Sequence, residues 1–169
     1  VIKILISACL VGEPTRFDGT AVPCEAPEIA QWQQEGRLLP VCPEVAGGCP
    51  VPRPPAEIEP DGTAETVLAG CARVRDTSGA DVSEAFMRGA EATLETARRA
   101  GARLAVLKDR SPSCGSRVIH DGTFSGRTIA GRGLAAELLT RHGIRAFSEG
   151  QMEEAAAYLA LLEAESPAR

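Results

Sequence analysis

At 169 residues the chain is long enough for one domain with a full core and too short for two ordinary ones. A composition 44% hydrophobic and 24% charged excludes a disordered chain, and no apolar run reaches the length of a membrane helix. The net charge of −5 argues against broad, non-specific binding of long nucleic acid, and 4% aromatics leave the core to Leu, Ile, Val and Ala.

Residues 2–8 read as a buried strand, β-branched and without a breaker, that runs into Cys9. A loop punctuated by Gly12, Pro14 and Asp18-Gly19 follows. A short helix is expected over 27–35, with Pro27 in its first turn and Gly36 just past its end. Leu38–Val41 is a second strand, closed by Cys42. The segment 43–62 is so dense in proline and glycine that a long irregular loop is expected.

In 64–76 the pattern is ambiguous, and 72–75 is the best candidate for a short edge strand. Asp81-Val82-Ser83-Glu84 has the spacing of a capping box. It opens a helix whose Ala85, Phe86, Ala90, Leu94 and Ala97 share one face and which stops at Gly101. A strand over 103–107 leads into Arg110-Ser111-Pro112-Ser113-Cys114-Gly115-Ser116, and 120–127 reads as a second loop. A helix over Leu134–Arg141, a strand over 144–147 and an alanine- and leucine-rich helix over 151–163 complete the chain.

This alternation predicts an α/β fold: a single Rossmann-like domain, its sheet mainly parallel, with helices on both faces. Strands covered on both sides need apolar residues throughout, as these have. In open α/β sheets ligands sit at the carboxyl ends of the strands. Cys9, Cys42 and Cys114 each stand just beyond such an end, so the topology would bring them to one crevice.

The start of the chain lacks the pattern of a signal peptide, which predicts a cytoplasmic protein whose six cysteines are thiols or ligands instead of disulfides. Soft thiolates select iron–sulfur clusters, zinc or copper. A structural zinc would ask for four ligands, usually with closely spaced cysteine pairs, and no C-x-x-C is present. His120 and His142 are the only histidines, and neither is an obvious fourth ligand. Three ligands with one open position would make a catalytic metal site; the alternative is that these are inert buried cysteines. Cys24 and Cys71 are expected to be bystanders, while Cys49 could replace Cys42.

Glu44 lies two residues beyond Cys42, in an apolar, glycine-rich setting expected to raise a carboxyl pKa by desolvation. It is the acid–base candidate. Ser111 and Ser113 could orient a water or a substrate, or simply form a turn. Arg16, Arg53, Arg110 and Arg127 lie in loops expected to ring the crevice, where they could grip an anionic group.

Five ordered motifs together resemble the thiouracil desulfidase (TudS-like) family: Ser7-Ala8-Cys9-Leu10-Val11-Gly12; Arg16-Phe17-Asp18-Gly19; 40–48 with Pro52-Arg53-Pro54; Ser111-Pro112-Ser113-Cys114-Gly115; and 121–126. The resemblance implies a desulfidase-like α/β domain over 1–149, with 150–169 as a C-terminal helix packed on it. It implies a [4Fe–4S] cluster with three protein ligands, Cys9, Cys42 and Cys114, and one open iron. Glu44 and Ser111, with Ser113 as the less favoured serine, would activate a water.

The implied reaction is non-redox desulfuration of a small thiopyrimidine base or nucleoside (2-thiouracil, 4-thiouracil or 4-thiouridine), with sulfide released. No membrane and no long nucleic acid is implied as a partner. Arg16, Arg53 and Arg127 are the residues through which a ribose or phosphate would be recognised. Cys49 departs from the family pattern, where a leucine is common. The alternatives are another [4Fe–4S] lyase or hydro-lyase, a non-catalytic cluster carrier and a structural zinc protein.

Overall fold

The computed structural model describes residues 1–166. Four strands, β1 (Ile4–Ser7), β2 (Leu38–Val41), β5 (Leu104–Leu107) and β8 (Arg145–Ser148), form one sheet in the order β2-β1-β5-β8. Every pairing in it is parallel, with Ile4 beside both Leu38 and Leu104. All four residues of β1 and of β5 are buried, because helices cover both faces.

Side chains alternate across a strand, so the central strands serve two cores. Ile4 and Ile6 pack with Ile29 and Trp32 of α1 (Pro27–Gln34) and with Leu159 and Leu162 of α6 (Met152–Glu165). Leu5, Ala105 and Leu107 point the other way. They meet Leu94 and Ala97 of α4 (Ser83–Arg99) and Leu139 of α5 (Leu134–Arg141). The α/β class, the parallel sheet and the helices on both faces are as expected. Among the described residues no helix is long and apolar enough to cross a membrane.

Three local expectations need correction. The segment 43–62 holds a short helix, α2 (Pro43–Ala46), and a strand, β3 (Ala56–Ile58). The expected edge strand falls two residues later, as β4 (Val74–Asp76), and pairs antiparallel with β3 in a separate sheet. A helix, α3 (Ala64–Leu68), precedes it, and that is where a capping box occurs, between Thr63 and Thr66. Asp81 makes no such box: its Oδ1 accepts from the N–H and hydroxyl of Ser83, closing a turn that delays α4 to Ser83.

A small hairpin of β6 (Val118–His120) and β7 (Thr128–Ala130) also went unread. Its three-residue strands are too short to show a period. Ile58, Val67, Val74, Phe86, Ile119 and Leu134 make a third apolar cluster that ties these additions to α4 and α5.

Candidate active site

A cavity of about 350 Å³ opens beyond the carboxyl ends of β1, β2 and β5. Cys9, Cys42 and Cys114 all line it, as do Glu44, Ser111 and Ser113. The topology does bring the three cysteines and the three polar candidates together.

Cys9 sits in a 3-10 turn, Ala8–Val11, that continues β1 and ends at Gly12, whose φ of 95° suits glycine. Cys42 is the residue before α2, in an extended conformation, and Pro43 occupies the first helical position. This helix of only four residues is held by packing. A Cβ on Gly89 of α4 would collide with the carbonyl of Pro43, and one on Gly47 with the carbonyl of Ala85. The two backbones touch, and that contact sets where Cys42 and Glu44 stand.

The carboxylate of Glu44 is not in the apolar setting expected. Arg53 Nε donates to its Oε1 at 3.0 Å, and Ser113 Oγ donates to its Oε2 at 2.8 Å. The Arg53 side chain is 7% exposed and is fully engaged, since Nη1 donates to Pro50 O at 3.1 Å and Nη2 to Thr15 O at 2.9 Å. Arg53 therefore binds the protein's own acid and carbonyls, contrary to its expected role in gripping an anionic ligand.

The Cys114 wall is a hydrogen-bonded turn. Asp109 Oδ1 accepts from the N–H groups of Ser116, Arg117 and Val118, each at 3.2 Å, while its own N–H donates to Glu149 Oε2 at 2.8 Å. Ser111 Oγ accepts from the N–H groups of Ser113 (3.1 Å) and Cys114 (2.9 Å) and lies 2.9 Å from Ser113 Oγ. The carbonyls of Pro112 and Ser113 accept from the N–H groups of Leu134 and Ala135, satisfying donors that the start of α5 would otherwise leave unpaired. Gly115 and Gly133 let this loop lie flat on its neighbours.

Arg110 adopts a φ of 76°, a left-handed conformation that costs a non-glycine residue ~1–2 kcal/mol. It is pinned there from both sides: its N–H donates to Val118 O at 3.0 Å and its carbonyl accepts from His120 N at 3.1 Å.

The thiols act on one another. Burial, and next the neighbouring Cys42, raises Cys9 to about 11, with Lys108 and Arg16 opposing. Burial also pushes the Cys114 thiol well up; Ser7 opposes this, and Cys42 adds to the rise. Buried thiols this close resist becoming anions together unless a cationic group binds them. Among the described residues no three His, Cys, Asp or Glu side chains group closely enough to hold a single metal ion.

Cys49 does not line the cavity; its thiol is raised by burial and then by Glu44. Cys24 packs at the edge of a core and Cys71 is exposed. His120 lines the cavity with a buried Nδ1 that has no partner, whereas His142 faces Arg98 on the outside. Arg16 and Arg110 line the cavity and Arg127 does not. Sequence reading missed the anchors: Asp109, the clamp of Arg53, and Glu57, which accepts from the N–H groups of Gly122 and Phe124. The cue each of Asp109 and Glu57 offers in the sequence is a carboxylate beside a proline-containing loop.

The model of the 2-thiouracil desulfurase family matches residues 4–151. The Bacillus subtilis (strain 168) protein YbbK, described as uncharacterized, is 43% identical over 151 residues, which span 89% of this chain and 98% of that one. Among solved structures, the [4Fe-4S]-dependent thiouracil desulfidase TudS superposes with a TM-score of 0.86 at 45% identity, covering 95% of this chain and 99% of that one. With the family match running over nearly all of the fold and the whole cavity, this chain belongs to the 2-thiouracil desulfurase family.

Proposed function

We propose that the protein is an iron–sulfur-dependent desulfidase that hydrolyses the thiocarbonyl of a small thiopyrimidine base or nucleoside, consuming water and releasing the carbonyl compound and hydrogen sulfide. The observation that carries this reading is the convergence of three strand-end cysteines on one cavity, with the Ser113–Glu44 hydrogen bond at its wall. The donor set fits a [4Fe–4S] cluster. The thiols are soft and mutually repelling when ionised, so a cationic cluster of soft metal would stabilise all three as thiolates.

Cys9, Cys42 and Cys114 would hold that cluster, which when bound would supply a soft Lewis acid for the substrate's sulfur. Glu44 acts as general base for water, with Arg53 fixing one carboxylate oxygen and Ser113 the other. Ser111 holds the turn through two backbone N–H groups and orients Ser113 through its hydroxyl. Because Ser113 Oγ donates to Glu44, the proton between the serines comes from Ser111, so the hydroxyls form a directed chain ending on the carboxylate.

The test is anaerobic purification followed by incubation with 2-thiouracil, 4-thiouracil and 4-thiouridine, with thiocarbonyl absorbance and free sulfide followed together. Loss of the chromophore with matching, iron-dependent sulfide is the expected result. A brown protein that leaves all three untouched would point to another cluster enzyme or a cluster carrier.

A further inference from the structure

The cavity wall carries more charge than the proposed chemistry uses, and nearly all of it is already paired. Glu44 is held by Arg53, Glu57 by two backbone N–H groups, Asp109 by three, and Lys108 by Glu149 at 2.7 Å. Arg16 donates to Thr20 Oγ1 at 3.2 Å and, with Lys108, acts on the thiol of Cys9. Arg110 is the exception. It lines the cavity and is exposed there, and among the described residues its side chain makes no hydrogen bond, ion pair or cation–π contact.

Of the three non-glycine residues with a left-handed backbone among the described residues, Arg110 is the one that lines the cavity. Its φ of 76° would suit glycine, yet a long cation stands there, held by hydrogen bonds to β6 on both sides. A left-handed non-glycine residue persists only where its surroundings overdetermine it, and such residues cluster at ligand sites. Fixing this backbone fixes where the side chain leaves the main chain at the cavity wall.

We propose that Arg110 binds the substrate, donating to an acceptor oxygen at the end remote from the thiocarbonyl. The inference rests on the desulfidase reading and deepens it, by naming a residue that reads what lies beyond the reacting carbon. A guanidinium suits a ring carbonyl, ribose hydroxyls or a phosphate alike, so the acceptor oxygen is the shared chemistry and its source is set by experiment.

The experiment uses iron-loaded, anaerobic protein with Arg110→Gln and Arg110→Gly. The first keeps the strain and removes the charge. The second removes the side chain at a backbone angle glycine takes freely, so it folds even if the glutamine variant does not. KM and kcat are measured with 4-thiouracil, 4-thiouridine and 4-thiouridine 5′-monophosphate. Binding of uracil, uridine and uridine 5′-monophosphate is measured by calorimetry.

Both variants are expected to raise KM and the dissociation constant by roughly tenfold, as loss of a charged hydrogen bond does, with the loss falling on KM and not on kcat. A rise for all three compounds assigns the ring carbonyl, one shared by nucleoside and nucleotide the ribose, and one confined to the nucleotide the phosphate. Unchanged KM and binding in both variants, beside a wild type that turns over, would overturn the assignment of Arg110 alone. A wild type that consumes none of the thio compounds would overturn the desulfidase reading instead.

Discussion

The wall that carries Cys114 is a turn knit by side-chain acceptors, whereas the wall that carries Cys42 and Glu44 is a single helical turn pressed onto α4 through two glycines. In the first, Asp109 and Ser111 together accept five backbone N–H groups, and α5 takes two loop carbonyls. In the second, no side chain caps α2; close backbone packing and the Arg53 clamp do the positioning. A hydrogen-bonded turn loses stability in steps as acceptors are removed, but a backbone contact with no room for a methyl group either fits or does not. The Ser113–Glu44 hydrogen bond is where the two walls meet, so damage to either reaches the same carboxylate.

The largest effect is expected where both walls serve one purpose. Cys9→Ala, Cys42→Ala and Cys114→Ala should each abolish retention of iron, read as loss of visible absorbance and of iron per protein. Next comes Glu44→Gln, which should keep the iron and lower kcat by roughly 10²–10⁴, the range for a general base. Full turnover in that variant would remove Glu44 from the chemistry and leave its hydrogen bonds as architecture.

Gly89→Ala tests the packed wall. The added methyl must push α2 off α4, costing ~1–3 kcal/mol in chemical denaturation and reducing both iron retention and turnover. Asp109→Ala is the matching test of the hydrogen-bonded wall, expected to cost about the same, ~1–3 kcal/mol, since three N–H groups lose their acceptor. The two should differ in what they disturb. Amide exchange should rise across 115–119 in Asp109→Ala and across 44–49 in Gly89→Ala; one pattern in both would mean the walls are a single unit.

The smallest effect belongs to Cys49→Ala, outside the cavity lining. It should leave iron content unchanged and cost less than ~1 kcal/mol. Loss of iron there would make Cys49 a ligand and shift the ligand set along the loop.

Much of the fold was legible because its signals are local or periodic. The central strands β1 and β5 are apolar runs, and α4 repeats its buried residues at helical spacing. Three cysteines at three strand ends pointed to one crevice because a parallel sheet sends all its carboxyl ends the same way. The short added elements were not legible: α2, β3, α3, β6 and β7 span three to five residues each, and none carries a run of four apolar residues. The expected capping box at Asp81 failed because Ser83, two residues on, offered that carboxylate a nearer donor pair.

Apolar runs and the shared direction of parallel strands were enough for the parallel α/β class and for the meeting of Cys9, Cys42 and Cys114, whereas the joint role of Glu44 and the two serines came with the family resemblance. Which charges are partnered was settled by three-dimensional packing. Arg53 reaches Thr15, Glu44 and Pro50, Lys108 reaches Glu149, and Arg110 reaches none of them. Such pairings join residues far apart in the chain through side chains several bonds long. Their partners are set by how the loops pack at the end of the sheet, and no spacing along the chain encodes that.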